Sequence, residues 1–170
     1  MAEAQTEHEQ REKVRELIKD VETAVLVTHG DDEKLRGRPM VAAGLDADGK
    51  TLWFFSGAGT EKTEEIAKND RVLLSYSDPS KQNYVAVSGT ARVVRDVAKQ
   101  KELWTESMKT WFPKGAEDPR IALIAVEMTG AEYWDSPSST LLHAYGYVKA
   151  VVTGEPPKGG ENERVSFKQA

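Results

Sequence analysis

Apolar residues recur at two different spacings along the chain. A helix over residues 6–22 is predicted by four apolar residues at the i, i + 3, i + 4 and i + 7 positions, Val14, Leu17, Ile18 and Val21. Helical spacing returns over residues 60–68 and over residues 97–111, where Asp96 is a candidate N-cap. Between and after these helices, apolar and β-branched runs predict seven strands, over residues 23–29, 38–45, 51–56, 71–76, 84–95, 121–134 and 140–153.

The order of these elements indicates the fold class. One helix precedes three strands, and each of the other two helices precedes two strands, without regular βαβ alternation. Asp48-Gly49 predicts the tight turn of a hairpin, and Gly89 within a strand predicts a bulge or bend of the kind found at barrel corners. We therefore predict an α+β domain built on an antiparallel barrel rather than a doubly wound parallel sheet.

Three regions follow from this pattern. Residues 1–22 are expected to form a helix packed on the barrel, and residues 23–153 the barrel domain itself. Residues 154–170 form a polar tail that is rich in proline, glycine and charged residues. Such a composition predicts a tail that is mobile or packed against a partner.

Composition and charge exclude several classes of function. With 170 residues the chain is long enough for one domain with a substantial core. Its 23 basic and 28 acidic residues give a net charge of −5, which argues against nucleic acid or a membrane surface as a partner. No apolar run approaches the roughly 20 residues that span a bilayer, and the first 15 residues are polar. There is no cysteine, and the three histidines lack metal-ligand spacing, so we expect a cytoplasmic protein without a metal site.

The candidate chemistry lies where the aromatic strand over residues 51–56 ends. The turn and the residues that follow offer polar groups suited to a phosphate, namely Ser56, Gly57, Gly59, Thr60 and Lys62. Hydroxyls and a lysine can bind phosphate oxygens, and glycines let backbone amides come close. The predicted helix that begins here adds free amide donors and the positive end of its dipole.

Two better-known phosphate motifs are absent from this turn. A dinucleotide fingerprint requires a third glycine where Lys62 stands, and a nucleoside-triphosphate loop requires a glycine where Glu61 stands. An ordinary strand-to-helix turn also carries serine, threonine and glycine for capping. On these residues alone, a phosphate site and a capped turn are both open.

Several further motifs, taken in their order along the chain, resemble the flavin-binding split-barrel proteins related to pyridoxamine 5′-phosphate oxidase, and within them the bacterial general stress proteins. The pieces that carry the resemblance are Arg38-Pro39-Met40, Trp53-Phe54-Phe55-Ser56 with Lys62, Tyr84-Val85-Ala86-Val87-Ser88-Gly89, Phe112-Pro113-Lys114-Gly115, Asp118-Pro119, Glu132-Tyr133-Trp134-Asp135-Ser136-Pro137, Gly154 and Gly160-Glu161-Asn162. They extend over nearly the whole chain.

The resemblance implies a split β-barrel with flanking helices that binds FMN at the interface of a homodimer. The residues implied along the flavin ring and its ribityl chain are Arg38, Pro39 and Met40, and Phe55 is also implied to bind the cofactor. The residues implied around the phosphate are Ser56, Gly57, Thr60 and Lys62. Trp134 would reach the flavin edge from the other subunit, and Tyr84 with Gln82 would lie near the flavin.

One segment departs from the oxidase pattern. The oxidase carries an Arg-Leu-His-x-Arg segment that binds the substrate's phosphate, whereas the corresponding stretch here is Thr140-Leu141-Leu142-His143-Ala144-Tyr145. Without the two arginines a phosphorylated vitamer loses its main charge-assisted contacts. We therefore expect that this chain is not a true pyridoxamine 5′-phosphate oxidase, and that His143 is a strand residue with a local partner rather than a base.

Two activities from different classes remain open. The first is an FMN-dependent oxidoreductase, in which a reduced nicotinamide or another small molecule reaches the flavin. The second is a flavin-binding stress protein that stores, buffers or senses flavin without turnover. A deazaflavin or haem ligand is a third reading, because related split barrels accept such groups.

Overall fold

Antiparallel strand pairing dominates the structure, a computed structural model that describes residues 6–135, 140–154 and 161–167. The strands are β1 Thr23–His29, β2 Leu35–Leu45, β3 Thr51–Gly57, β4 Arg71–Asp78, β5 Asn83–Val94, β6 Ile121–Asp135 and β7 Glu161–Ser166. The helices are α1 Glu7–Lys19, α2 Glu61–Lys68, α3 Val97–Leu103 and α4 Thr140–Thr153, with a short 3₁₀ helix over Glu106–Thr110.

Six of the strands close into a barrel. The strand order is β3-β2-β1-β4-β5-β6-β7, and a further pairing between β3 and β6 closes the ring. The seventh strand lies outside the ring and pairs only with β6 among the described strands. All of these pairings are antiparallel, so the predicted α+β antiparallel barrel is confirmed.

The bulge predicted at Gly89 is present. The register between β5 and β6 shifts between Ser88 and Gly89. A side-chain carbon at Gly89 would come within 2.5 Å of the Glu127 carbonyl oxygen, so only glycine lets β6 approach this closely. A register shift of this kind is the mark of a bulge, which typically bends the strand that carries it.

The core fills the inside of the barrel, and α1 closes one of its ends. Inward-facing strand residues such as Leu26, Phe54 and Leu74 are completely buried, and Val14 and Leu17 of α1 are buried in the same cluster. Burying one such side chain contributes about 1.5–3 kcal/mol to folding. The predicted first helix is therefore confirmed, although it begins one residue later than predicted and ends three residues earlier.

The prediction of a strand over residues 140–153 was wrong, because the segment forms α4. Its β-branched and aromatic residues favour a strand locally, but both edges of β6 are already paired, with β5 along one side and with β3 and β7 along the other. His143 accordingly lies in a helix. Within the described ranges, no helix is long and apolar enough to cross a membrane.

Two other predictions need correction. The third predicted helix ends at Leu103, and the 3₁₀ helix follows after a break. Part of the predicted tail is ordered on the barrel, since residues 161–166 form β7 on β6 of the same chain. Ser136, Pro137 and Gly160, which contribute to the family resemblance, lie outside the described residues.

Candidate functional site

The turn from β3 to α2 brings hydroxyls and backbone amides together at the start of the helix. Thr60 is the N-cap of α2, yet its hydroxyl makes no capping bond and instead donates to the Gly57 carbonyl oxygen at 3.1 Å. The Ser56 hydroxyl lies 3.4 Å from that of Thr60. The backbone amides of Glu61 and Lys62 have no acceptor within the described part of the chain. Two hydroxyls and two free amides therefore converge at the start of the helix.

Lys62 extends this cluster with a cation. Its side chain is half-buried and forms no ion pair with any residue the structure describes. Burial lowers the pKa of the Lys62 ammonium, and the positive charge of Arg38 lowers it further. A partly buried ammonium beside a second cation attracts an anion, because the negative charge would offset both the burial and the repulsion from Arg38.

Arg38 is held in place by a buried network that sequence reasoning missed. Its guanidinium donates to the Thr28 hydroxyl at 2.7 Å and to a Glu65 carboxylate oxygen at 3.1 Å. The Thr28 hydroxyl donates to the same Glu65 oxygen at 2.5 Å. Thr28 is completely buried and Glu65 is 4% exposed. Because a buried carboxylate requires a charged partner, Glu65 fixes where the Arg38 charge lies.

Arg36 forms ion pairs with nearby carboxylates, and one of them belongs to the first residue of α2. Its guanidinium pairs with Asp32 at 3.0 Å and with Glu61 at 3.3 Å. The hydrogen bond from Arg36 lowers the pKa of Asp32, and the same bond raises the pKa of Arg36. Glu61 is the first residue of α2, where its carboxylate would otherwise compete with an incoming anion for the free amides.

The cluster lies at the wall of an open cleft of about 610 Å³. Five residues predicted from the sequence line this cleft, namely Pro39, Phe55, Ser56, Gly57 and Lys62. The opposite wall comes from the segment around the 3₁₀ helix, which was not predicted as part of the site, through Thr105, Ser107, Met108, Thr110, Trp111 and Phe112. Phe55 of β3 packs edge-to-face on Trp104, with ring centroids 5.9 Å apart. This contact joins the segment that follows α3 to the barrel.

The remaining predicted site residues do not line the cleft. Met40 is buried in the barrel core. Tyr84 and Trp134 lie directly opposite each other on β5 and β6, and both side chains are partly exposed. Gln82 lies in the loop before them with a positive φ of 54°. Within one copy of the chain, Tyr84, Trp134 and Gln82 therefore lie away from the turn between β3 and α2.

An apolar outer face of the sheet is continuous with the cleft. Val25 on β1 lies between Pro39 of β2 and Ser75 of β4. Val25 and Val41 are 42% and 54% exposed, and Leu73 on β4 is exposed on the same face. Pro39 and Val41 also line the cleft. Contiguous exposed apolar residues of this kind are typical of interaction surfaces.

Comparison with known proteins places the chain in a family. A family model described as pyridoxamine 5′-phosphate oxidase like matches residues 9–158. The chain is 27% identical over 130 residues to Protein bli-3 of Neurospora crassa. This match covers 72% of the chain and 62% of the Neurospora protein, so the chain spans less than two thirds of that relative's length.

Solved structures share the fold. The general stress FMN/FAD binding protein from Xanthomonas citri is 28% identical, with a TM-score of 0.68 over 78% of this chain and 92% of that one. A Clostridium acetobutylicum protein related to general stress protein 26 is 18% identical, with a TM-score of 0.71 over 96% and 97%. A heme binding protein from Mycobacterium smegmatis is 10% identical, with a TM-score of 0.64 over 96% and 59%. At these two lower identities the likeness concerns the fold alone.

Proposed function

The chain belongs to the pyridoxamine 5′-phosphate oxidase-like family, and on that premise we propose that it binds FMN in the cleft beside α2 as a homodimer. The observation that carries this proposal is Lys62, a half-buried cation without an ion pair in the described chain, next to the two hydroxyls and the free backbone amides of the β3–α2 turn. A phosphate monoester carries up to two negative charges at neutral pH and accepts several hydrogen bonds. The donors at this turn are of the kind that such a group requires.

The rest of the cleft suits the other parts of FMN. Pro39, Val41 and Phe55 give it an apolar lining next to the phosphate turn, as a planar ring system requires. Arg38, fixed by Glu65, would supply a second positive charge near Lys62. The apolar lining and the two positive charges together support the assignment of FMN to this cleft.

A second copy of the chain is part of the proposal. The exposed face around Val25, Val41 and Leu73 is apolar and runs into the cleft, so pairing two copies across it would cover both. The second copy would also supply the contacts implied for Tyr84 and Trp134, which lie away from the cleft of their own chain. A flavin at this seam would be shielded from water by both subunits.

The catalytic role is a separate question. FMN supplies hydride and electron transfer when bound, and the protein binds, orients and shields it. Among the residues that line the cleft, Glu22 and Lys62 are the titratable ones, and Glu22 is exposed. This lining is compatible with two roles. The first is an oxidoreductase in which the cofactor carries the chemistry and a reduced nicotinamide or another small molecule is the reaction partner. The second is a cytoplasmic protein that stores or senses flavin.

An absorbance scan of the purified protein, followed by chromatography of the compound released on denaturation, tests the cofactor. We expect flavin absorption bands and a released compound that matches FMN. A Soret band would assign haem instead, and a different near-ultraviolet maximum would assign a deazaflavin. Light scattering on the same sample should give twice the mass of the 18.8 kDa chain. A monomer that retains FMN would refute the seam as the binding site.

A further inference from the structure

A second cleft of about 610 Å³ adjoins the cofactor cleft and is not used by it. It lies between α1 and the strands β2 and β3. Glu22, Ala42 and Ala43 line both clefts, so the two are neighbours along β2. Both volumes fall within the range of about 300–1,000 Å³ that is typical of small-molecule sites. A molecule bound in the second cleft would therefore lie beside whatever fills the first.

The deepest residue of the second cleft has an unused hydrogen-bonding group. Tyr76 lines the cleft, is 1% exposed, and belongs to the barrel core. Its hydroxyl has no hydrogen-bond partner within the described chain. Buried hydroxyls nearly always have a partner, because leaving one unpaired destabilises the protein. Burial also raises the pKa of Tyr76 well above its usual value, so the hydroxyl stays protonated and available as a donor.

Access to this hydroxyl requires a small movement. The oxygen is sealed from solvent, so a ligand reaches it by displacing neighbouring side chains. The cleft is bordered on the α1 side by long, flexible side chains, including Arg15 and Lys19. Arg15 is partly buried; its side chain donates to the Gly49 carbonyl oxygen at 2.9 Å and pairs with Glu12, which is exposed. Moving Arg15 would therefore cost one hydrogen bond to the backbone and one ion pair, whose Glu12 partner is exposed to solvent.

The lining indicates the class of ligand. The walls carry aliphatic residues, among them Ile18, Leu45 and Leu52. The charges around the opening alternate in sign along α1 and provide no patch of one sign that would select an ion. An uncharged molecule with a largely apolar body fits these walls, and a carbonyl oxygen on it would accept the hydrogen bond that Tyr76 can donate.

We propose that the second cleft binds an uncharged, mainly apolar carbonyl compound, of the quinone type or similar, whose oxygen accepts a hydrogen bond from Tyr76. The binding site stands on its own geometry. Its role as the place where a substrate lies beside the cofactor rests on the proposed FMN function. The chain contains no cysteine with which a quinone could react, so binding can be measured without covalent adducts to thiols.

The test uses two probes and two variants, measured by calorimetry on the protein freed of any cofactor and again with FMN added. The probes are 2-methyl-1,4-naphthoquinone and 2-methylnaphthalene, which have similar shapes but differ in the carbonyl groups. Tyr76→Phe removes only the hydroxyl of interest. Tyr147→Phe is the matched control, since Tyr147 lies on α4 and is largely exposed.

We expect the original chain to bind the quinone at least about tenfold more tightly than the hydrocarbon. This ratio corresponds to the free energy that about one hydrogen bond contributes. Tyr76→Phe should abolish that difference while leaving the thermal unfolding midpoint unchanged or higher, because an unpaired hydroxyl is removed. Tyr147→Phe should change neither quantity. Quinone binding in a protein that takes up no FMN would support the site and refute the cofactor proposal alone.

Three results would overturn the inference. The first is an original chain that does not bind the quinone. The second is a Tyr76→Phe variant that keeps the preference for the quinone, since the hydroxyl would then have no part in recognition. The third is a clear drop in the unfolding midpoint of Tyr76→Phe, which would mean that an internal partner such as a buried water already satisfies the hydroxyl.

Discussion

Replacing Lys62 by alanine should separate phosphate binding from every other contribution to cofactor affinity. A hydrogen bond to a charged group contributes about 1.5–3 kcal/mol, and the lower half of this range applies because the Lys62 side chain is only half-buried. A loss of about 1.5–2 kcal/mol corresponds to about 10- to 30-fold weaker FMN binding. Riboflavin has the same ring and ribityl chain without the phosphate, so its affinity should not change.

The assay is a titration of the flavin-free protein that follows the flavin fluorescence, with FMN and riboflavin in parallel. Lys68→Ala is the matched control, because Lys68 lies on the same helix but is exposed and paired with Asp31. It should leave both affinities unchanged. Equal losses for FMN and riboflavin in Lys62→Ala would refute the phosphate assignment, since the lysine would then act on the ring or on the fold.

The same variant should reveal what this lysine does to stability. The pKa of Lys62 is lowered in the folded chain, chiefly by burial and then by Arg38, so the unfolded chain binds more protons as the pH approaches 10.5. Its charge therefore disfavours the folded state at neutral pH, and the effect is relieved only as the pH rises toward that value. Lys62→Ala should unfold no earlier than the original chain at pH 7. A clear loss of stability would mean that Lys62 has a structural role.

Three further outcomes test the surroundings of the site. Trp134→Ala should alter the fluorescence of bound flavin in the intact dimer; if fluorescence and affinity both stay the same, the tryptophan is structural. Glu65→Ala should destabilise the chain by about 3 kcal/mol in denaturant titrations, because Arg38 loses its buried partner, and an unchanged midpoint would contradict that reasoning. Arg120 lowers the pKa of Asp118 from 3.8 to about 2. The original chain should therefore be more stable than Asp118→Asn above pH 4, and this difference in stability should vanish as the pH falls through 2. A difference that persists below pH 2 would exclude this linkage.

The features that could be predicted from sequence are those whose causes are local. The first strand was predicted with its observed bounds, because the apolar, β-branched run that predicts it lies within a few residues. The N-cap at Asp96 was predicted from one side chain and the helix it precedes, and its carboxylate accepts from the Lys99 amide. The turn from β3 to α2 is local in the same sense, since it lies between Ser56 and Lys62, and its use as a phosphate site stays a prediction.

The features that were missed depend on distant neighbours. Residues 140–153 have strand-forming composition, but whether a strand forms depends on a free sheet edge, which no local pattern records. The network of Thr28, Arg38 and Glu65 joins β1, β2 and α2 across up to 37 residues of sequence. A threonine inside an apolar strand and a glutamate on the buried side of a helix were its only traces in the sequence.

The two neighbouring clefts bear on whether the protein is an oxidoreductase or only binds flavin. The cofactor cleft is lined by Glu22 and Lys62 as its titratable groups, so few protons can be donated or accepted there by the chain itself. An oxidoreductase of this design depends on a second molecule lying next to the flavin, and the neighbouring cleft at Tyr76 offers room for one. Storing flavin requires no second molecule beside it. If the carbonyl probe binds beside FMN, the oxidoreductase role gains a defined place for its substrate; if the cleft accepts nothing, the binding role is favoured.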